Sequence, residues 1–202
     1  MEDNVRGDEQ DRSHDTRSRL RQLALKLFAE QGYEKTSLRE IAEQLGVTKA
    51  ALYYYFKSKE DIVRSLVEDY VADLDELIAW SKEQPRTPAT RAEIVRRYLH
   101  IVATGTEVFR MLHQNQAAVS VLANAKERGE LFKERMDALV GLLTEQADAS
   151  LRDQIRAASC LMSISFCCMH YQDRAASPAE LEEALLDVAL ELADVTPVRS
   201  HS

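Results

Sequence analysis

The densest group of side chains that could bind a polyanion lies within residues 37–59. It combines three successive tyrosines, Tyr53–Tyr55, with Lys49 before them and Lys59 after them. Ammonium groups and tyrosine hydroxyls donate hydrogen bonds to phosphate oxygens, and a residue as small as Ala50 allows a helix backbone to approach base edges. The group therefore has the kinds of side chain that contact with nucleic acid requires.

Two short helices separated by a glycine are predicted to position this group. Ser37 and Glu40 have the spacing of a capping box, so the first helix should begin directly after Ser37. Gly46 should end that helix, and Thr48 should cap the second one. This layout is that of a helix-turn-helix, which inserts its second helix into the major groove of DNA. The apolar residues predicted to pack the two helices are Leu38, Ile41, Ala42, Leu45, Leu52 and Phe56.

Helical geometry assigns different roles to the two faces of the second helix. Leu52 and Phe56 lie four residues apart and should face the core, so we expect them to have a packing role alone. Three successive tyrosines in a helix of about two turns cannot all face one core, which argues against the interpretation that they only pack the head. The residues expected to read bases are Lys49, Ala50 and Tyr54. The residues expected to contact phosphate are Tyr53, Tyr55 and Lys59.

Residues 16–62 resemble the DNA-binding domain of the tetracycline-repressor (TetR) family, most specifically over the string Gly46–Lys59. The resemblance implies about nine helices, a divergent ligand-binding body and dimerisation through the last two helices. Two residues depart from the family pattern: Ala51 stands where relatives often have Thr, Gly or Ser, and Tyr55 stands where His is frequent. The resemblance assigns contact with DNA to eight positions, which are Ser37, Arg39, Lys49, Ala50, Tyr53, Tyr54, Tyr55 and Lys59.

The net charge of −8 is unevenly distributed along the chain. Residues 1–16 carry net −4, residues 17–59 carry net +5, and residues 60–202 carry net −9. Phosphate binding requires a local basic surface rather than a basic protein, so this distribution favours a DNA-binding head on an acidic body. Counting alone leaves open the alternative of scattered surface charge.

Helical periodicity and the low content of glycine and proline predict an all-α protein. Gly105 and Gly129 are predicted to interrupt helices of the body. The helices are expected near residues 15–31, 38–45, 59–83, 88–103, 107–124, 128–147 and 150–171, with a short one capped by Thr48 after the second and a last one capped by Ser177. The expected domains are a disordered acidic arm over 1–14, the helix-turn-helix domain over 15–60, an effector-binding and dimerisation domain over 61–196, and a disordered tail over 197–202.

The last two helices have the pattern of a dimer interface. A helix that is apolar almost all round must bury two faces, one on its own core and one on something else. A symmetric four-helix interface between two copies would bury both, whereas a monomeric core remains the alternative. Such a dimer would read a palindromic operator. The residues expected at the interface are Ile155, Leu161, Ile164, Leu181, Leu185, Val188 and Leu192.

A small-molecule chamber is expected between the fourth helix and the helices over residues 90–171. Ligand pockets are mostly apolar with a few polar groups, although each candidate residue could equally be ordinary core. No spacing of residues identifies the ligand. The candidates are Trp80, Tyr98, His100, Phe109, Met111, His113, Met136, Met162, Phe166 and Met169, with the two histidines as polar anchors.

Three cysteines leave a second function open, that of a regulator which responds to thiol oxidation at Cys160, Cys167 or Cys168. Buried cysteine usually behaves as a small hydrophobic residue, and the paired spacing of zinc ligands is absent, so we expect neither a metal site nor another cofactor. A third possibility is an adaptor whose body binds a protein partner. No combination of a nucleophile, a base and an acidic orienting group predicts an enzyme.

The segment Met1–Asp11 is polar and has no apolar core of a signal peptide, and the apolar stretch over 157–171 is too short for a membrane span, so a cytoplasmic protein is expected. The sequence therefore predicts a homodimeric transcriptional regulator. It is expected to be a repressor that a small-molecule effector releases from a palindromic operator in double-stranded DNA. The helix over residues 59–83 is expected to link effector binding to the DNA-binding head.

Overall fold

The computed structural model describes residues 3–114, 125–144, 149–172, 174–175 and 177–194. Within these ranges the chain forms eight α-helices and no β-strand, so the predicted all-α fold class is confirmed. None of the helices in these ranges is both long and apolar enough to cross a membrane. The helices are α1 (Asp3–Gln31), α2 (Leu38–Leu45), α3 (Lys49–Tyr55), α4 (Lys59–Glu83), α5 (Pro88–Gln114), α6 (Ala125–Leu143), α7 (Leu151–His170) and α8 (Pro178–Leu192).

The chain divides into two compact units. The first unit comprises Met1–Asp69 and Glu107–Ala123, and the second unit comprises Tyr70–Thr106 and Asn124–Ser202. The sequence placed a single boundary after residue 60. The observed division of the chain differs from that boundary, because α4 and α5 each contribute residues to both units.

Side-chain and glycine caps define the short helices of the first unit. The Oγ of Ser37 accepts a hydrogen bond from the N–H of Glu40 at 3.1 Å, and the Oγ1 of Thr48 accepts one from the N–H of Ala51 at 3.1 Å. Gly46 follows α2 with φ 73°, in the left-handed region where a side chain would be strained. These caps satisfy amide groups that a helix end leaves unpaired, and they match the predicted helix-turn-helix layout.

The core of the first unit is formed by α1 to α3 together with the first residues of α4. Arg21 on α1 also forms an ion pair with Asp69 on α4, and the side chain of Arg21 is largely buried. The α1 helix is therefore joined to α4 by an ion pair. The buried apolar residues of this unit include Leu20, Ala24, Leu27, Phe28, Ile41, Ala42, Leu52, Phe56, Ile62 and Val63.

The second unit contains the paired helices α7 and α8. The thiol of Cys160 on α7 donates a hydrogen bond to the carbonyl oxygen of Ala189 on α8 at 3.3 Å. The hydroxyls of Tyr98 on α5 and Ser165 on α7 are hydrogen-bonded at 2.7 Å. Ser177 caps α8 as predicted, and its Oγ accepts from the N–H of Glu180 at 3.2 Å. The apolar residues that are buried in this unit include Leu74, Leu77, Ile94, Val95, Leu139, Leu161, Ile164 and Leu190.

Three helix boundaries differ from the predictions. The backbone of α1 is helical from Asp3, whereas we expected a disordered arm over 1–14 and a helix beginning near Asp15. Extending an existing helix needs no new nucleation, and Glu, Gln and Arg are good helix formers. Helix α5 continues through Gly105 and α6 continues through Gly129, so both predicted breaks are wrong. A glycine costs a helix only about 1 kcal/mol relative to alanine, which the packing of a long amphipathic helix exceeds.

Candidate nucleic-acid interface

The two faces of α3 differ in burial as the helical period predicts. Leu52 and Phe56 are 0% and 1% exposed, whereas Tyr54 on the other side is 81% exposed. Lys49 and Ala50 are exposed as well. A helix of 7 residues is not stable alone, so its caps and its buried face hold the outer face in place. Helix α3 therefore presents a cation, a methyl group and a tyrosine on one supported surface.

Aromatic contacts order the long side chains of this surface. The Nζ of Lys49 lies 5.5 Å from the ring centroid of Tyr53, within the range of a cation–π interaction. The rings of Tyr54 and Tyr55 meet edge to face, with centroids 5.2 Å apart and an angle of 85° between their planes. Such contacts restrict the side chains before any ligand binds, which reduces the entropy that binding must remove.

Ser37 and Arg39 each have a partner within the protein. The hydroxyl of Ser37 caps α2, while the Nε of Arg39 lies 2.7 Å from Oε1 of Glu43 one turn along the helix. Both side chains of this ion pair are mostly exposed, and exposed ion pairs contribute little to stability because water screens them. A phosphate could therefore replace Glu43 as the partner of Arg39 at small cost.

Lys59 has its ammonium held by the turn that follows α1. Its Nζ donates to the carbonyl oxygen of Tyr33 at 2.7 Å and to that of Glu34 at 3.4 Å, and it lies 4.5 Å from the ring centroid of Tyr33. The hydroxyl of Tyr33 in turn donates to Oε1 of Glu60 at 2.8 Å. Neither Tyr33 nor Glu60 was expected from the sequence, because their contact joins segments far apart in the chain and has no recognisable spacing.

The charges of this cluster are fixed by the same contacts. Hydrogen bonds from the backbone and from the Tyr33 hydroxyl hold the pKa of Glu60 below its usual range. Burial, and then the hydrogen bond to Glu60, raises the pKa of the Tyr33 phenol. The phenol therefore stays protonated as a donor and the carboxyl stays ionised as an acceptor across the neutral pH range.

Comparison with known families finds a match in the first part of the chain. Residues 20–66 match the model of the bacterial regulatory proteins of the tetR family. This segment is therefore similar to the DNA-binding domain of that family. The matched segment contains α2, α3 and the beginning of α4, together with the part of α1 that carries the apolar stripe. The match thus falls on the helices that position the candidate interface, as the resemblance over residues 16–62 implied.

Curated TetR-family relatives extend the similarity along part of the body. The chain is 35% identical over 102 residues to the HTH-type transcriptional regulator AcrR of Shigella flexneri, which covers 50% of this chain and 46% of the relative. It is 29% identical over 123 residues to the fatty acid metabolism regulator protein of Bacillus subtilis (strain 168), which covers 60% of this chain and 63% of the relative. The chain therefore spans about half of the first relative and less than two thirds of the second.

Solved structures share the fold over most of the chain. A transcriptional regulator of the TerR/AcrR family from Aquifex aeolicus VF5 has a TM-score of 0.64 at 23% identity, and the match covers 88% of this chain and 98% of that one. At this identity the likeness supports the fold alone. The likeness in fold therefore extends beyond residues 20–66 to the body.

The candidate effector residues belong to both units. Phe109, Met111 and His113 lie in Glu107–Ala123 of the first unit, where Met111 is fully buried and the side chains of the other two are outside the described part of the structure. The other seven candidates lie in the second unit. The single chamber that the sequence predicted stays a prediction.

Two of the candidates in the second unit lie on the surface. Met162 and Phe166 are 60% and 53% exposed in the single chain, which corrects their assignment to an enclosed chamber. Tyr98 is fully buried, and its hydroxyl is hydrogen-bonded to that of Ser165. The guanidinium of Arg97 lies over the ring of Trp80, 3.8 Å from the ring centroid. The remaining second-unit candidates are half-buried Met136 and Met169 and exposed His100.

His100 lies at the edge of two open grooves of the second unit. One groove of about 460 Å³ is lined by residues of α4 and α5, including Glu93 and Arg97. The other, of about 380 Å³, is lined by residues of α5 and α8, including Arg96 and Glu183. Both grooves carry charges of both signs.

The predicted interface residues of α7 and α8 point in two directions. Leu161, Ile164 and Leu185 are buried within the single chain, so a partner could not contact them without rearrangement of the core. Ile155 and Val188 are 56% and 51% exposed, whereas Leu181 and Leu192 are half-buried. The large exposed apolar residues of α7 are Leu151, Ile155, Met162 and Phe166, which we call the outer face of α7.

The cysteines do not form a reactive pair in the described structure. Burial raises the pKa of the Cys160 thiol to about 12, and burial together with Cys167 raises that of Cys168 to about 11. The thiolate is the reactive form, so both thiols are poor nucleophiles at neutral pH. In the described part of the chain, no three His, Cys, Asp or Glu side chains are grouped so that they could hold a metal ion.

Proposed function

We propose that this protein is a homodimeric transcriptional repressor that binds a palindromic operator and leaves it when a small molecule binds the second unit. The observation that carries the proposal is the exposed surface of α3, where Lys49, Ala50 and Tyr54 face outward from a capped and packed helix. This surface has the donors and methyl groups that read base edges in a major groove. The match of residues 20–66 to the tetR family model supports the same function.

The outer face of α7 supports the dimer. Leu151, Ile155, Met162 and Phe166 recur at intervals of four, seven and four residues, so they lie on one side of the helix. Val188 on α8 adds a further exposed apolar side chain. A symmetric pairing would bury these side chains on both copies and place two α3 helices for the two halves of a palindrome.

Effector control is the part of the proposal that depends on the body of the protein. We propose that the effector favours one state of the dimer and the operator favours another, so that each weakens binding of the other. The raised thiol pKa values argue against control through Cys160 or Cys168. A protein partner remains the alternative occupant of the outer face of α7.

Selection from a random duplex library with the full-length protein tests DNA binding. We expect a palindromic sequence to be enriched, and replacement of Lys49 and Tyr54 by alanine should abolish the enrichment. Lys82→Ala is the matched control, because Lys82 is an exposed lysine at the far end of α4. If the wild-type protein enriches no sequence, or if the Lys49/Tyr54 variant enriches the same one, the proposed function of α3 is wrong.

A further inference from the structure

A contact network in the first unit joins the turn after α1 to the beginning of α4. Tyr33 supplies three of its parts: its carbonyl oxygen and its ring hold the ammonium of Lys59, and its hydroxyl holds the carboxylate of Glu60. Lys59 and Glu60 are the first two residues of α4. Tyr33 thus contacts two neighbouring charges at that helix end, the Lys59 ammonium through its backbone carbonyl and its ring, and the Glu60 carboxylate through its hydroxyl.

We propose that Tyr33 is a positioning residue for DNA binding, which acts by holding the Lys59 ammonium where it can meet a phosphate. This inference rests on the proposed DNA-binding function. A free lysine side chain samples many rotamers, and fixing it on binding costs entropy. In this protein two of the three N–H donors of Lys59 are directed at the carbonyls of Tyr33 and Glu34, which orients the third donor before DNA arrives.

The hydroxyl of Tyr33 has a separate effect on the same ammonium. Glu60 is next to Lys59, and its ionised carboxylate is attracted to the lysine. By donating to Oε1 of Glu60 at 2.8 Å, Tyr33 fixes the position of that negative charge. Without the hydroxyl the carboxylate could move onto Lys59 and compete with a phosphate for it.

A purely structural role for Tyr33 makes a different prediction. Tyr33 is 4% exposed and its ring meets that of Phe28 edge to face at 5.1 Å, so any large change will lower stability. If stability were its only contribution, the effect of replacing Tyr33 on DNA affinity would be independent of Lys59. If Tyr33 acts through Lys59, its effect should vanish once Lys59 is replaced.

A double-mutant cycle with the selected operator separates these roles. The full-length Tyr33→Leu, Lys59→Gln and doubly substituted proteins are titrated with operator duplex over a series of NaCl concentrations. We expect each single change to raise Kd by about threefold to tenfold, and to reduce the slope of log K against log [NaCl] by about 0.9 for each protomer. The doubly substituted protein should bind no worse than Lys59→Gln.

Tyr33→Phe and Tyr70→Leu complete the experiment. Tyr33→Phe keeps the ring and the carbonyl, so it remains informative if Tyr33→Leu does not fold, and we expect a smaller loss that again disappears in the Lys59→Gln background. Tyr70 is a buried tyrosine of the second unit, and its replacement should lower the Tm without changing the salt slope. Additive effects of Tyr33 and Lys59, or an unchanged salt slope, would overturn the inference. Failure of the wild-type protein to select DNA would instead refute the proposed function.

Discussion

Replacement of Thr48 by alanine tests whether α3 owes its order to its cap. The hydroxyl of Thr48 accepts the hydrogen bond of the Ala51 amide at 3.1 Å, and α3 has only 7 residues with which to compensate for its loss. Losing an N-cap of this kind costs about 1 kcal/mol. If fraying of α3 is local, operator Kd can rise by at most about fivefold for each α3, and by about 25-fold for the two copies of a dimer, since about 1.4 kcal/mol corresponds to a factor of ten. We expect a rise of about twofold to fivefold for each α3.

Urea unfolding followed by circular dichroism measures the change in stability, and fluorescence anisotropy with labelled operator measures Kd. Ser177→Ala is the matched control, because Ser177 caps α8 in the second unit with nearly the same geometry, at 3.2 Å. It should lower the free energy of unfolding by a similar amount and leave Kd nearly unchanged. Thr48→Ser should restore both quantities. A loss of affinity far above about 25-fold for the dimer with unchanged stability would show that Thr48 contacts DNA directly, and the capping argument would be wrong.

Three further changes test other parts of the structure. Phe166→Glu should convert the dimer into a monomer in light scattering, because it places a charge on the exposed outer face of α7, and a dimer that survives this change contradicts the proposed interface. Leu161→Ala should instead lower the free energy of unfolding by about 2–5 kcal/mol in urea, since Leu161 is fully buried. Gly46→Ala should cost about 1–2 kcal/mol, because φ is 73° there, and an unchanged urea midpoint would contradict this strain. Alkylation of Cys160 and Cys168 by iodoacetamide at about pH 8, followed by mass spectrometry, should be slow in the native protein. Because only the thiolate reacts, the rate should rise as the pH approaches the pKa values of about 12 and 11. Fast labelling of the native protein would refute the burial argument.

The head could be predicted from the sequence because its signals are local. The caps at Ser37 and Thr48 act over three residues, and Gly46 marks the turn through its own backbone conformation. The period of 3.6 residues is sufficient to place Leu52 and Phe56 inside. Each of these features depends on neighbours within one or two turns, so no knowledge of the tertiary structure was needed.

The contacts between distant segments could not be predicted in the same way. Tyr33 and Lys59 are 26 residues apart, and no pattern in the sequence predicts that they are in contact. Gly105 and Gly129 illustrate the converse error, because a local breaker signal was overruled by the packing of the long helices that contain them. Propensity is a weak local term, and tertiary packing decides such positions.

Helix α7 shows that an apolar pattern alone does not tell which residues of a helix face the core and which face a partner. The sequence placed both effector-binding and dimer residues on α7, and both groups are apolar. Burial separates them, since Leu161 and Ile164 face the interior while Met162 and Phe166 face outward. The surface residues are therefore available for a second copy and cannot line an interior chamber of a single chain. The predicted effector residue Tyr98 is buried near α7, and its hydroxyl is hydrogen-bonded to that of half-buried Ser165 at 2.7 Å. A molecule that separates this pair must give the buried Tyr98 hydroxyl a new partner, because a buried hydroxyl left unpaired is costly, whereas Ser165 keeps its hydrogen bond to the carbonyl oxygen of Leu161. An effector that binds there is therefore expected to carry a hydrogen-bonding group of its own, and a purely hydrocarbon molecule should bind poorly.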